Sequence, residues 1–257
     1  MKAASWGRRL GGMVMVGAVL ALSACSSPGP GAPIAERDPL EGTNRFFHEN
    51  NVKLDRFILR PAAQGYDFIT PELLQHLIGN AYNHINTVGD FANYVFQGDV
   101  DSALTALGRF TVNSIMGAGG LLDPATEFDL PREDTDFGVT LGKYGVGEGA
   151  YLVLPLLGPS TTRDTVGGVV DRGFDPRTYV GLFVDGTAVD IAMPSSQALE
   201  ILDTRNRNAD LIDDVLYNSA DSYISLRSIY LQRRDSLIRG EEGATDALPD
   251  IFDEESN

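Results

Sequence analysis

Val100-Asp-Ser-Ala-Leu-Thr-Ala-Leu-Gly-Arg-Phe-Thr-Val-Asn-Ser-Ile115 decides the fold class. Val100, Ala103, Leu104, Leu107, Phe110 and Ile115 recur at the spacing of one helical face. Asp99 or Gly98 supplies the start, and Gly117, Gly119 and Gly120 supply the stop. Working toward the N-terminus, Thr70-Pro71-Glu72 opens another helix through Leu73, Leu74, Leu77, Ile78 and Tyr82. Before it, Asp38-Pro39 caps a run carrying Phe46, Phe47, Val52, Leu54, Phe57, Ile58 and Leu59, which Arg60-Pro61 is expected to end. Toward the C-terminus the helical period returns over 195–240, with Ile212, Val215, Leu216, Tyr223, Leu226, Tyr230 and Leu237 near one face. Arg227, Arg233, Arg234 and Arg239 place positive charge at its carbonyl end, where the helix dipole favours it. The expected class is mainly α.

Residues 117–185 break this pattern with dense glycine and proline. Tyr151-Leu-Val-Leu-Pro-Leu-Leu157 is the longest uncharged apolar stretch after Cys25 and is too short to span a bilayer as a helix. A buried strand, a loop plug and a membrane-dipping segment all fit it. Just before it, Gly145, Gly147 and Gly149 alternate, giving a backbone free to take positive φ, either as a hinge or as a static tight turn.

The 257 residues are 43% hydrophobic and 22% charged, a balance that suits a folded chain rather than a disordered one. A net charge of −16 argues against nucleic acid as a partner, since phosphate-backbone binding needs clustered Lys and Arg. The single cysteine excludes an internal disulfide and a multi-thiolate zinc site. Its position is informative. Lys2, Arg8 and Arg9 precede an apolar run from Leu10 to Leu22, and Leu22-Ser-Ala-Cys25 follows. This resembles a bacterial lipobox, so residues 1–24 read as a signal peptide and Cys25 as the site of S-diacylglycerol and N-acyl attachment. Ser26, in the sorting position, implies passage to the outer membrane. Cleavage leaves 17 basic against 36 acidic residues, a net charge of −19. Anionic lipid does not attract such a body, so its membrane contact beyond the anchor must be apolar. Residues 25–37 read as the acylated cysteine with a flexible linker, 38–240 as the folded body, and 241–257 as an acidic disordered tail.

The search for catalytic chemistry is negative. No G-x-S-x-G elbow and no H-E-x-x-H helix is present. His48-Glu49 lacks the second histidine of a zinc helix, His76 and His84 lack a fixed third ligand, and Asp134 and Asp136 read as an exposed acidic turn sooner than as a Ca²⁺ site. The Lys143 loop has the wrong order for a phosphate loop, with the lysine ahead of the glycines and no Ser or Thr after it.

An ordered set of segments resembles the MlaA (VacJ) family of outer-membrane lipoproteins. It comprises Asp38-Pro-Leu-Glu-Gly-Thr-Asn-Arg-Phe-Phe47, Leu59-Arg-Pro61 and Gly108-Arg-Phe-Thr-Val-Asn-Ser114. Gly119-Gly-Leu-Leu-Asp-Pro-Ala125, Asp136-Phe-Gly-Val-Thr-Leu-Gly142, Tyr144-Gly-Val-Gly-Glu-Gly149 and Tyr151 through Ser160 continue it. The resemblance covers nearly all of 38–240. It implies a ring of amphipathic helices lying in one membrane leaflet around an amphipathic channel, with no catalytic residue and no cofactor beyond the acyl groups. It implies that mislocalised phospholipids leave the outer leaflet through this channel beside a trimeric porin and pass to an MlaC-like periplasmic carrier. The protein would then sit lipid-anchored on the periplasmic face of the outer membrane. Gly145, Gly147 and Gly149 occupy the family's hinge-like loop, and Asn44, Phe46 and Phe47 serve either gating or packing of the first helix. An envelope lipid or peptidoglycan hydrolase, or a structural porin-associated lipoprotein, is the alternative.

Overall fold

In the computed structural model the chain is described over residues 38–183 and 187–241, with the side chains of 181–194 excepted. The signal peptide, Cys25, Ser26, the linker and all but the first residue of the acidic tail lie outside the described residues. The body is mainly helical. Helix α1 (Glu41–Leu54) passes through a π-helical turn (Asp55–Leu59) into α2 (Arg60–Ile69). The expected stop at Arg60-Pro61 is therefore wrong. Pro61 sits in the first turn of α2, where its missing N–H is tolerated, and the π turn ahead of it absorbs the mismatch in the hydrogen-bond ladder. Helices α3 (Glu72–Gln97) and α4 (Val100–Ile115) pack as an antiparallel pair. Gly98 takes φ +71° to end α3, and the Asp99 carboxylate accepts from the Ser102 N–H to begin α4.

The glycine-rich middle contains more helix than its composition suggests. A short α5 (Pro124–Glu127) precedes α6 (Phe137–Lys143), which the Asp136 side chain caps. The stretch at 151–157 resolves into a hairpin. Strand β1 (Tyr151–Leu154) pairs antiparallel with β2 (Gly158–Thr161), Tyr151 opposite Thr161. Its tip, Leu156 and Leu157, is about 70% exposed. Then follow α7 (Thr162–Phe174), α8 (Arg177–Phe183), α9 (Thr187–Arg207) and α10 (Ala209–Asp213). A second π turn (Asp214–Asn218) leads to α11 (Ser222–Arg239), capped by Asp221. The helical period thus resumes at Thr187 rather than 195, and it is interrupted at 219–221.

The buried apolar core is small. One cluster joins Tyr151, Val153, Tyr223 and Leu231, with Phe47 and Tyr230 against it. A second joins Tyr94, Ala103 and Ala106, with Phe91 against it. On α4 the inward residues are Ala103, Ala106, Arg109 and Asn113, whereas Val100, Leu104, Leu107 and Ile115 point outward. The apolar stripe of α4 thus forms exposed surface, and the small and polar stripe faces the protein.

Candidate functional site: a polar interior beneath an apolar surface

The inversion on α4 recurs across the body. Phe57 is 73% exposed, Phe68 90% and Ile115 77%. Ile69, Leu73, Leu74, Phe96, Met116 and Phe128 are exposed as well. No described helix is long and apolar enough to cross a membrane. Exposed apolar area on this scale marks a surface that meets another apolar phase or partner.

Inside, charges are paired. Arg227 on α11 donates to Asp38 at 2.6 Å, and Tyr223 donates to the same carboxylate oxygen. One heptad further, Arg234 binds Asp136 and, at 2.8 Å, Asp164, while Tyr230 donates to Asp164 at 2.7 Å. Burial disfavours the Asp136 carboxylate, yet its bonds to Arg234 hold its pKa below the usual range. Arg205 on α9 bridges Asp55 at 2.7 Å and Asp213 at 2.6 Å, tying the first π turn to the approach of the second. Arg109 joins Asp123 at 2.7 Å. Arg205, Arg227 and Arg234 each tie their helix to a carboxylate far away in sequence. Arg227 and Arg234 therefore act as buried cross-links, and the helix-dipole expectation for them is superseded. Their spacing of seven residues on one helix face was the available sign.

Among the described residues, adjoining hollows of about 190, 350 and 480 Å³ lie between the helices. They share lining residues: Asp90 and Arg132 between the first two, and Asn86, Arg132 and Asp134 between the last two. Arg132 lines all three. Polar residues of α3 supply much of one wall, Tyr82, Asn83, Asn86, Asp90 and Asn93 among them. Burial, aided by the nearby Asp134 charge, raises Asp90 to about 7 even though the Thr135 N–H donates to it at 3.1 Å. Asp171 is raised for the same first reason, against hydrogen bonds from Asn93 and Phe137.

The Asn44 segment and the glycine loop singled out from sequence lie away from these linings, whereas Asp134 and Asp136 line the hollow of about 350 Å³. Asn44 is buried and directs the hairpin. Its amide donates to Asp38 and the Tyr151 carbonyl, and its carbonyl accepts from the Val153 N–H. Asn51, two turns on, does the same at Leu154 and Leu156. Together they satisfy an edge of β1 from a helix. Phe47 packs on the hairpin core, while Phe46 is 62% exposed. The loop before β1 keeps positive φ at Gly145 and Gly149 but not at Gly147. Gly145 and Gly147 are exposed, and Gly149 lies against Thr162, where a Cβ would clash.

The remaining candidates hold structural posts. His76 is exposed beside Glu72, His84 stacks on Phe110, and His48 bonds Ser222. Asp136 caps α6 and Asp134 pairs with Arg132. No group of three or more His, Cys, Asp or Glu able to hold a metal stands together among the described residues. Sequence reasoning missed Arg132, Asp90 and Asn86, because a lining residue shows no motif.

The comparisons with known proteins agree with one another. The sequence model of the MlaA lipoprotein family matches residues 36–237. The Escherichia coli K12 intermembrane phospholipid transport system lipoprotein MlaA is 33% identical over 227 residues, 86% of each chain. Its Haemophilus influenzae counterpart is 30% identical, covering 83% of this chain and 84% of that one. An uncharacterized protein of Rickettsia felis is 32% identical over 79% of this chain and 78% of its own length. A solved structure described as the structural basis for maintenance of bacterial outer membrane lipid asymmetry superposes with a TM-score of 0.65 at 33% identity, over 78% of this chain and 98% of that one.

Proposed function

This chain belongs to the MlaA lipoprotein family, and on that premise we propose that it extracts mislocalised phospholipids from the outer leaflet of the outer membrane and returns them toward the cell interior. It is a transport component and not an enzyme. The observation that carries the proposal is the inverted distribution of polarity. Large apolar side chains are exposed on the outside, while adjoining hollows with shared charged and amide lining residues, the one of about 480 Å³ predominantly polar, lie between the helices. A body of this kind rests its helices in acyl chains and gives a headgroup a polar path through them.

In this reading Cys25 carries the acyl groups and Ser26 routes the protein to the outer membrane, where the helices form a ring in the inner leaflet. A trimeric porin holds the ring and an MlaC-like carrier receives the lipid on the periplasmic side. The loop of Gly145, Gly147 and Gly149 is its hinge. Gly147 has open space where a Cβ would stand and a φ outside the left-handed region, so Gly147→Pro is chosen to remove backbone freedom there. The decisive experiment supplies labelled phospholipid in donor liposomes holding the purified lipoprotein and follows it to an acceptor. Intact lipid in the acceptor supports transport, and Gly147→Pro slows it. Released fragments, or no transfer above protein-free liposomes, refute it.

A further inference from the structure

We propose that Arg233 and Arg132 form a phosphodiester subsite in the hollow of about 480 Å³, where the headgroup phosphate of a phospholipid is held during passage. The inference rests on the transport reading above and names the chemistry that reading needs. The hollow of about 480 Å³ lies within the range of small-molecule sites, about 300–1,000 Å³. Three guanidinium groups line it, from Arg132, Arg207 and Arg233, with carboxylates from Asp134, Glu200 and Asp203.

The carboxylates are already engaged. Arg207 binds Asp203 at 2.9 Å and donates to the Gln75 carbonyl at 2.7 Å. Its guanidinium occupies the space where a Cβ on Gly79 would stand, so α3 itself confines it. Glu200 is held by Arg177 at 2.5 Å. Arg132 pairs with Asp134 at 2.7 Å, with both side chains more than a third solvent-accessible, a pairing that contributes little and exchanges readily. Arg233 has no carboxylate within 4 Å among the described residues.

The orientation of Arg233 is imposed by its neighbour. Arg234 is buried and bound to Asp136 and Asp164, which fixes the rotation of α11 about its axis. The preceding residue is turned about 100° from it, and Arg233 accordingly lines the hollow. A half-buried guanidinium without a partner in a confined space is stabilised by an anion that accepts from its planar fork, and a phosphodiester has that geometry. The acidic body, −16 over the full chain and −19 in the cleaved form, repels free anions, so an anion that arrives on an apolar tail has the advantage. Arg132, reaching all three hollows, is placed to take the phosphate onward.

The test uses the full acylated lipoprotein in detergent, with dihexanoyl phosphatidylglycerol, dihexanoylglycerol and inorganic phosphate as probes. Arg233→Met should weaken phosphatidylglycerol binding by about tenfold or more, with Arg233→Lys intermediate and Arg132→Met also weaker. Dihexanoylglycerol binding should be unchanged, and thermal melting should match the parent. The subsite is overturned if Arg233→Met binds phosphatidylglycerol like the parent. It is also overturned if both glycerolipids weaken equally, or if inorganic phosphate binds as tightly as the lipid. A parent protein that transfers phospholipid while Arg233→Met binds normally removes the subsite alone; a parent that transfers none removes the transport reading as well.

Discussion

Asn44 shows how much one side chain can organise. Its amide meets a backbone carbonyl and a carboxylate, and its carbonyl meets a backbone N–H, all buried. Asn44→Ala leaves Tyr151 and Val153 backbone groups unsatisfied, which costs about 1–3 kcal/mol for each. Chemical denaturation should register a loss of about 2–4 kcal/mol; a loss below 1 kcal/mol contradicts the assignment. Asp90 supplies a pH signature. Its folded-state pKa, about 7, stands above the ordinary carboxylate value because burial disfavours the charge. The unfolded state therefore releases this proton more easily. Stability from the neutral group is complete below pH 4 and is lost as pH rises toward 7. Asp90→Asn should flatten the stability curve between pH 4 and 7. A parent-like slope in the variant would show that other groups dominate.

Among elements, close approach and ionic cross-linking do the work that a large apolar core does elsewhere. Helices α6 and α7 meet at glycine. A Cβ on Gly167 would stand 2.5 Å from the Gly138 nitrogen. Gly167→Ala should destabilise by about 1–3 kcal/mol by forcing the two backbones apart, and a melting curve measures it. Arg205 ties the first π turn to α10 through Asp55 and Asp213, and Tyr217 of the second π turn donates to Asp55 with its pKa pushed up to about 12, burial being the first cause. Arg205→Met strands a buried carboxylate, and a loss of about 3–5 kcal/mol is expected in urea titration. These elements were unevenly legible. The Asp99 cap is local chemistry and readable; Asp38 and Thr70, expected as caps, make no capping hydrogen bond because the helices start after Leu40 and Pro71, and Asp136, expected in an exposed acidic turn, caps α6 instead. The π turn was not readable, because Pro61 reads as a stop when the register ahead of it is assumed regular.

For the whole molecule, the exposed apolar surface predicts membrane affinity beyond the lipid anchor. A Cys25→Ala form lacking the acyl chains should still co-float with neutral liposomes. High salt should not release it, since apolar burial rather than charge holds an acidic body to lipid. Replacing both hairpin-tip residues, Leu156→Asp with Leu157→Asp, should lower partition at least roughly tenfold, each leucine contributing about 1.5–3 kcal/mol when buried. Melting in detergent should stay unchanged because both side chains are exposed. Salt-dependent binding, or parent-like partition of the double variant, would place the membrane contact elsewhere.

The sequence by itself determined the helical class, the Asp99 cap, the family, and the amphipathic character of α4, because periodicity, capping and ordered motifs are local in the chain. Which side of each stripe faces inward was decided only by tertiary structure. A period of 3.6 states that two faces differ and is silent on which one meets the protein. The same holds for Arg227, Arg234 and Arg205. Their charge is visible in the chain, but their carboxylate partners lie 189, 98 and 150 residues away, and only folding brings them within hydrogen-bonding distance.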